Sequence, residues 1–331
     1  MTLASIIVPA FNVEATLTCT LNALLEQTYQ KFEIIIVDDG STDATNRIAT
    51  GFSGDPRVRV IRQANRGLAG ARNTGIAAAR GDIIGFCDAD DLWVPEKLAR
   101  HVVHFEARPE VGISFSGSAL IDDDGNLTGQ AQRPQLTGIT EVNIFKRNPI
   151  GNGSATMIRR EVLEEIAYHH RQEPTRHWYF DETFRQSEDI ECWMRIALTT
   201  NWVFEGIPGL LTQYRISTGG LSAATDRQLA AWERMVQKQT PLNPAFFEVN
   251  APAARAYQLR YLSRRAISDL DGGRAIELTK AWLAESRLPL FEEPIKSIVT
   301  LGASAALFAF GKRALQTVMM FAQRARTAGR T

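Results

Sequence analysis

Two groups of carboxylates stand directly after runs of apolar β-formers. Ile34-Ile35-Ile36-Val37 leads into Asp38-Asp39 and the turn Gly40-Ser41, and Ile83-Ile84-Gly85-Phe86-Cys87 leads into Asp88-Ala89-Asp90-Asp91. An unbroken apolar strand belongs in a sheet covered on both faces, and open α/β sheets bind ligands at the carboxyl ends of such strands. A carboxylate there can accept hydrogen bonds from a nucleobase or ribose. Equally, Ser41, Thr42 and Asp43 could cap the next helix with Asp39 merely solvated. In Asp88-Ala89-Asp90, alternate residues of an extended backbone point to one side, so both carboxylates could face one hard cation that also holds a diphosphate. The plainer reading of those residues is an acidic turn. Two acidic strand ends suggest one shared site.

Between them lies Asn65-Arg66-Gly67-Leu68-Ala69-Gly70-Ala71-Arg72-Asn73-Thr74-Gly75. Its glycines would let backbone approach a ligand, and its arginines could meet phosphate. The segment is not G-x-G-x-x-G and the chain holds no Walker lysine motif, so a nicotinamide cofactor has no support.

The elements that must position these residues follow an alternating rhythm. Strands are expected at 5–8, 32–37, 58–61 and 83–87, with Pro9 ending the first. Amphipathic helices are expected between them, one capped by Asn12 and carrying Leu17, Leu21, Leu24 and Leu25, another over 68–80, and a third opened by Pro95. This alternation predicts a mostly parallel sheet with right-handed crossovers. After about residue 108 the pattern becomes α+β. Strands at 111–115 and 120–121 run into the hairpin turn Asp122-Asp123-Asp124-Gly125-Asn126, followed by a strand at 154–158, a helix over 191–198, and strands at 202–204 and 210–216. From about 226 onward only helices are expected, over 226–239, 252–270, 273–286 and 294–327. The division is therefore 1–107 and 108–225 as two parts of one α/β domain, with 226–331 as a helical extension.

Bulk composition agrees with a packed globular protein. Hydrophobic residues make up 44% and charged residues 22%, and 37 basic residues balance 37 acidic ones, so no overall field argues for a nucleic-acid partner. From Ile295 to Thr331 there are six basic residues and no acidic ones. Cys19, Cys87 and Cys192 match no metal-ligand spacing and no disulfide framework, and are expected as buried thiols in a reducing cytoplasm. Met1-Thr2-Leu3 passes straight into a strand, so a secretory leader is not expected.

Taken in order, these segments resemble glycosyltransferase family 2. The resemblance rests on Ile7-Val8-Pro9-Ala10-Phe11-Asn12, Val37-Asp38-Asp39-Gly40-Ser41-Thr42-Asp43, Asn65-Arg66-Gly67, Ala71-Arg72-Asn73, Gly81-Asp82 and Asp88-Ala89-Asp90-Asp91, and covers roughly residues 3–215. It implies a GT-A fold, a Rossmann-like mixed, mostly parallel sheet flanked by helices, and inverting transfer from a nucleotide diphosphate-sugar, UDP-linked by preference, to a glycan or lipid-linked acceptor. It further implies that Pro9, Ala10, Phe11 and Glu14 line the base pocket and that Asp39 hydrogen-bonds the base. Arg66, Gly67, Arg72 and Ala89 would lie along the nucleotide-sugar, Asp88 would contact ribose or metal, and Asp90 would bind Mn2+ or Mg2+ joined to the diphosphate.

Ser187-Glu188-Asp189-Ile190 looks like the family's Glu-Asp motif, which makes Asp189 the expected general base and Glu188 the alternative. The competing reading is a helix start whose first-turn carboxylates complement the dipole. Two departures stand out. Processive members carry Gln-x-x-Arg-Trp, whereas this chain has Cys192-x-x-Arg195-Ile196. Many non-processive relatives have Tyr-Arg-x-His, whereas Tyr214-Arg215-Ile216-Ser217 places serine at the histidine position, a loss that would weaken a metal site. A sugar nucleotidyltransferase would need a glycine-rich basic N-terminal loop, which Pro9-Ala10-Phe11-Asn12 does not supply. A nucleotide-sugar-binding protein without catalysis is the other rival.

The apolar run over 298–310 is thirteen residues, shorter than a membrane span. With Lys312-Arg313 after it, the run reads as an interfacial helix on anionic lipid at the inner face of the cytoplasmic membrane, or as a helix packed on the catalytic domain or a second subunit.

Overall fold

The computed structural model describes residues 2–216 and 225–328, and the chain divides into two compact units. The first unit takes residues 2–144 and 148–216 of those described, while Phe145–Arg147 and the residues from 225 onward belong to the second.

In chain order the first unit carries β1 (Ala4–Ala10), α1 (Leu17–Leu25), β2 (Phe32–Asp38), α2 (Thr45–Gly51), β3 (Val58–Arg62), α3 (Gly67–Ala78), β4 (Ile83–Phe86), β5 (Leu92–Trp93) and α4 (Lys97–Ala107). There follow β6 (Val111–Ile121), β7 (Leu127–Gln132), α5 (Glu141–Lys146), whose last two residues fall to the second unit, β8 (Thr156–Arg159), α6 (Arg160–Ile166), the hairpin β9 (Tyr168–His170) and β10 (Glu173–Trp178), α7 (Glu188–Thr199) and β11 (Val203–Arg215). One nine-stranded sheet runs in the order β3-β2-β1-β4-β8-β6-β11-β5, with β7 on the side of β6. Strands β1, β2, β3, β4, β6 and β11 point one way and β5, β7 and β8 the other. The sheet is therefore mixed and mostly parallel, as the alternating pattern predicts.

The apolar runs explain its centre. Every residue of β1 and β2 is buried, because α1, α2 and α3 cover the two faces. Pro9 does not end β1 as expected: the strand continues to Ala10, paired with Asp38. Ile7 accepts from Cys87 on the β4 side, whereas Ala10 accepts from Asp39 on the β2 side. Pro9 shares the orientation of Ile7, and the β4 ladder stops at Ile7, so its missing N–H interrupts nothing. Likewise the two expected strands between 111 and 121 are one strand, turned into β7 by Asp122, whose Oδ1 accepts from the amides of Asp124 and Asn126.

The second unit contains α8 (Thr225–Gln239), α9 (Pro244–Ser268), α10 (Gly272–Glu285), α11 (Leu288–Glu292) and α12 (Pro294–Ala328). Its core joins Ala256, Leu259, Leu262 and Ala266 of α9 to Ala275, Leu278 and Trp282 of α10. Helix α9 starts eight residues before the periodicity suggests, because Asn243 caps it by accepting from the amide of Phe246 and Pro244 occupies a first-turn position that lacks an intrahelical partner. Helix α12 breaks at Gly311, which takes φ 72°. The 13-residue apolar run, expected to be too short for a membrane span, lies within Pro294–Lys312, 19 residues, which is long and apolar enough to cross a bilayer by length and composition.

Candidate active site

Because β1, β2 and β4 are parallel, Ala10, Asp38 and Phe86 bring the chain out at one edge of the sheet, with Phe11, Asp39 and Asp88 just beyond. The two acidic residues after β2 then part in role. Asp38 is fully buried and serves its own turn, its Oδ1 accepting from the amide of Ser41 (2.9 Å) and its Oδ2 from Asn46 Nδ2 (2.9 Å) and Arg62. Asp39 is also buried, at 2% exposure, but turns to the start of α3. Its Oδ1 accepts from Gln63 Nε2 (2.6 Å) and the amide of Arg66 (2.9 Å), and its Oδ2 accepts from the amide of Gly67 (2.8 Å). Asp39 thus caps α3, where Gly67 holds φ +77°. A carboxylate oxygen accepts two hydrogen bonds, so Oδ2 retains one lone pair for a ligand.

Pro9 and Ala10 are buried at the strand end, and Phe11 is half exposed beyond them. Asn12 does not cap α1. It takes φ 53°, and its Oδ1 accepts from the amide of Thr42 (2.9 Å), which locks the turn after Asp39. Glu14 is exposed and its Oε2 accepts from the amide of Ala44 (2.7 Å), just before α2, so its carboxylate stabilises a helix start. Asp43 does the same from the other side, accepting from the amide of Thr45.

The glycine-rich segment forms α3 from Gly67 onward, in line with the helix expected over 68–80. Gly75 lies against β1, where a Cβ would meet Ile7 at 2.3 Å, so this glycine serves helix-to-sheet packing and not approach to a ligand. Arg66 ion-pairs with Glu173 of β10 and with Glu182. Arg72 is 2% exposed and points inward, where its Nη2 meets Asp88 Oδ1 at 3.0 Å and its Nη1 meets Glu188 Oε1 at 2.9 Å. Its guanidinium also lies over the rings of Phe86 and Phe180, at 5.6 and 5.4 Å. Asn73 beside it bonds Phe180 in both directions and so fixes the approach to α7.

Asp88-Ala89-Asp90 is not extended. The amide of Asp91 donates to the carbonyl of Asp88 (3.0 Å), so residues 88–91 form a tight turn, with Ala89 buried inside it. The backbone of that turn is held by Ser154 Oγ, which accepts from the amide of Asp88 (2.8 Å), and by Arg215, whose amide donates to Asp91 Oδ1 and whose Nε donates to the carbonyl of Asp90. The carboxylates still crowd. Burial, and then the Asp88 charge, push the Asp90 carboxyl up to about 6, and burial with Asp88 and Asp90 pushes that of Asp91 well above the usual range.

At the other side, Glu188 and Asp189 open α7, after Ser187 in the left-handed region (φ 60°), a conformation that disfavours a non-glycine residue by about 1 kcal/mol. The helix-start reading describes the backbone correctly, yet both side chains face the cluster. Burial raises the Glu188 carboxyl to about 7 against the opposing Arg72 charge, with Asp189 adding to the rise; burial raises Asp189 too. Asn148 Nδ2 donates to Asp189 Oδ2 (3.3 Å), a contact with no sequence signal. Lys97 was also missed. It is fully buried, donates to Thr212 Oγ1 (2.7 Å) and the Ser154 carbonyl, and burial lowers its ammonium to about 7.

No group of three or more His, Cys, Asp or Glu side chains converges as a metal cage among the described residues. A hard divalent cation held by one or two carboxylates, with phosphate oxygens and waters for the rest, does not need such a cage. Asp88 and Asp90 fit that pattern: burial and then the Asp88 charge disfavour the ionised form of Asp90, and a cation would favour it. Ser217, at the position of the family's histidine, lies outside the described residues. Cys87 and Cys192 are buried as expected, but Cys19 is exposed.

Residues 5–167 match the family described as glycosyl transferase family 2. Escherichia coli WfaP, named UDP-Glc:alpha-D-GlcNAc-diphosphoundecaprenol beta-1,3-glucosyltransferase, is 31% identical over 69% of this chain and 83% of its own. The chain belongs to glycosyl transferase family 2. Another curated relative, 37% identical, is spanned over only about half its length (52%). The glycosyltransferase also shares its fold with solved structures. S. aureus TarS 1-349 in complex with UDP-GlcNAc superposes with a TM-score of 0.59 at 18% identity, over 94% of this chain and 93% of that one. A mannosyltransferase, PcManGT from Pyrobaculum calidifontis, in complex with GDP-Man and Mn2+, gives 0.54 at 21% identity, over 94% and 88%. The fold is of the GT-A type, and the edge where Asp39, Asp88 and Asp189 gather is the candidate active site of this glycosyltransferase.

Proposed function

We propose that this glycosyltransferase moves a sugar, with inversion, from a UDP-sugar to a hydroxyl of a lipid-linked glycan in surface polysaccharide assembly. The observation that carries the proposal is the Arg72 bridge, which joins a strand-end carboxylate, Asp88, to the carboxylate pair at the start of α7. That bridge supports reading donor-side and acceptor-side groups as parts of one site. WfaP, named for a UDP-Glc donor and a diphosphoundecaprenol acceptor, supports the choice of both substrates.

Pro9, Ala10 and Phe11 would flank the base, and the free lone pair on Asp39 Oδ2 would accept from it. Gly67, at the start of α3, offers close backbone approach to the nucleotide. Asp88 and Asp90 would hold a divalent cation, and the Mn2+ complex of the archaeal mannosyltransferase makes manganese the first ion to try. When bound, that cation stabilises the negative charge that develops on the departing diphosphate.

Inversion requires the acceptor hydroxyl to approach the anomeric carbon from the face opposite the diphosphate, and its proton must go to a base on that side. Asp189 takes that role, because Glu188 is paired with Arg72 while the hydrogen bonds that Asp189 accepts among the described residues are the long contact from Asn148 and its neighbour's amide. The lipid of the acceptor would place the reaction at the inner face of the cytoplasmic membrane.

The test is a screen of nucleotide-sugars with a synthetic diphospholipid acceptor, with and without manganese. Product glycolipid with released UDP is the expected result. Pyrophosphate release would point to a nucleotidyltransferase, and donor binding without turnover by any acceptor would point to a binding protein.

A further inference from the structure

Helix α12 is inside out. The residues it turns toward α9 and α10 are Ser297, Thr300, Ser304 and Leu307, all buried and spaced three or four apart, whereas Ile295 (78% exposed), Ile298 (64%), Phe308 (62%) and Phe310 (74%) face outward. A helix on a water-soluble bundle places its apolar stripe inward and its polar face outward. Here, beside the apolar contacts of Leu301 and Leu307, the buried contacts are hydrogen bonds. Arg260 Nη1 donates to Ser297 Oγ (2.6 Å), and Ser263, Thr279 and Ser304 form a chain of hydroxyls at 2.7 and 3.0 Å. Small polar residues between helices with large apolar ones outside are the packing of helices whose outer solvent is lipid.

We infer that the outer face of α12 docks this glycosyltransferase onto an anionic bilayer surface, with the helix in the plane of the interface. The charge around α12 selects that occupant. From Pro294 to the end of the chain there are six basic residues and no acidic ones, and the acids just before the helix are neutralised, Glu292 by Lys146 and Glu293 by Arg147, Arg260 and Lys296. Lys296 and Lys312 bracket the apolar face, where they can reach lipid phosphates. A spanning arrangement is disfavoured although the length suffices. It would surround α12 with hydrocarbon and draw the buried Arg260, and the ion-paired Arg255 and Glu285 of the neighbouring helices, into it. The turn at Gly311 also interrupts the helix at the basic pair Lys312-Arg313. The contact deepens the reading of a lipid-linked acceptor and rests on it only for its purpose, since the lipid surface itself is recognised through α12.

The experiment is co-sedimentation of the full chain with vesicles of pure phosphatidylcholine or of phosphatidylcholine mixed with phosphatidylglycerol, comparing the parent with Ile298→Asp/Phe310→Asp. Both positions are exposed, so the variant should keep its melting temperature and its rate with a water-soluble acceptor. The inference expects binding to the anionic vesicles that weakens with salt and a partition coefficient roughly tenfold or more lower in the variant. Equal binding by parent and variant, equal binding to both lipids, or none to either would overturn it. So would a parent that is dimeric without lipid beside a monomeric variant, which assigns the face to a second copy. Retention after alkaline carbonate washing would overturn the in-plane placement. No vesicle arm contains donor or acceptor, so failure here leaves the transfer reading standing, and failure to transfer leaves this contact standing.

Discussion

The guanidinium of Arg72 meets the carboxylate of Glu188 at 2.9 Å, 116 residues away in the chain, and both groups are buried. The same guanidinium holds Asp88 at 3.0 Å. One side chain therefore sets the distance between the acid turn that follows β4 and the carboxylates that open α7.

Replacing Arg72 with Met keeps the volume but leaves Glu188 and Asp88 facing each other without a cation. Removing one partner of a buried pair typically destabilises by about 3–5 kcal/mol. We expect a lower midpoint of urea unfolding and loss of transfer, and Arg72→Lys should recover only part of either, because an ammonium cannot meet two carboxylates with a planar fork. An unchanged midpoint for the Met variant would mean that the bridge contributes nothing to the fold.

Asp189→Asn preserves the shape and the contact to Ile190 but cannot take a proton. The rate of transfer should fall on the order of 10²- to 10⁴-fold, the usual contribution of a general base, while UDP affinity by calorimetry stays within error. Should Glu188→Gln show the larger loss with UDP affinity intact, the base is Glu188 instead.

Stability should fall as pH rises from about 4.5 to about 7. The folded chain holds the Glu188 proton up to about 7 whereas the unfolded chain releases it near 4.5, so the native state binds more protons throughout that window. The full stabilisation is present below 4.5 and gone above 7; the span corresponds to about 3 kcal/mol. Glu188→Gln should flatten that slope in unfolding curves recorded across the window without a cation. Glu293 acts in a different window: its carboxyl is held down to about 2 by its basic partners, so its contribution is present above 4.5 and is lost between 4.5 and 2.

A cation seated by Asp88 and Asp90 favours the ionised form of Asp90, which burial and the Asp88 charge disfavour. UDP with manganese should raise the melting temperature more than UDP alone, and the difference should vanish in Asp90→Asn. An equal shift by UDP with and without manganese in the parent would exclude a shared cation site at these residues.

Periodicity and apolar runs determined the architecture: 34–37 and 83–87 read as central strands because they are buried on both faces, and the helices after 226 read as helices because their patterns are local. The grouping of Asp39, Asp88 and Glu188-Asp189 was legible only through ordered motifs that resemble a family, since nothing local links residue 88 to residue 188. Tertiary structure alone decided how each carboxylate is used. Asp38 and Asp39 are neighbours in the chain, yet successive side chains of a strand diverge, so one serves a turn and the other caps α3. Composition likewise showed an apolar, basic tail without showing which way α12 faces. That orientation came from the Arg260 guanidinium on α9 and the Thr279 hydroxyl on α10, whose partners, Ser297 and Ser304, had to turn inward because a buried polar group needs a hydrogen bond more than an exposed isoleucine needs shelter.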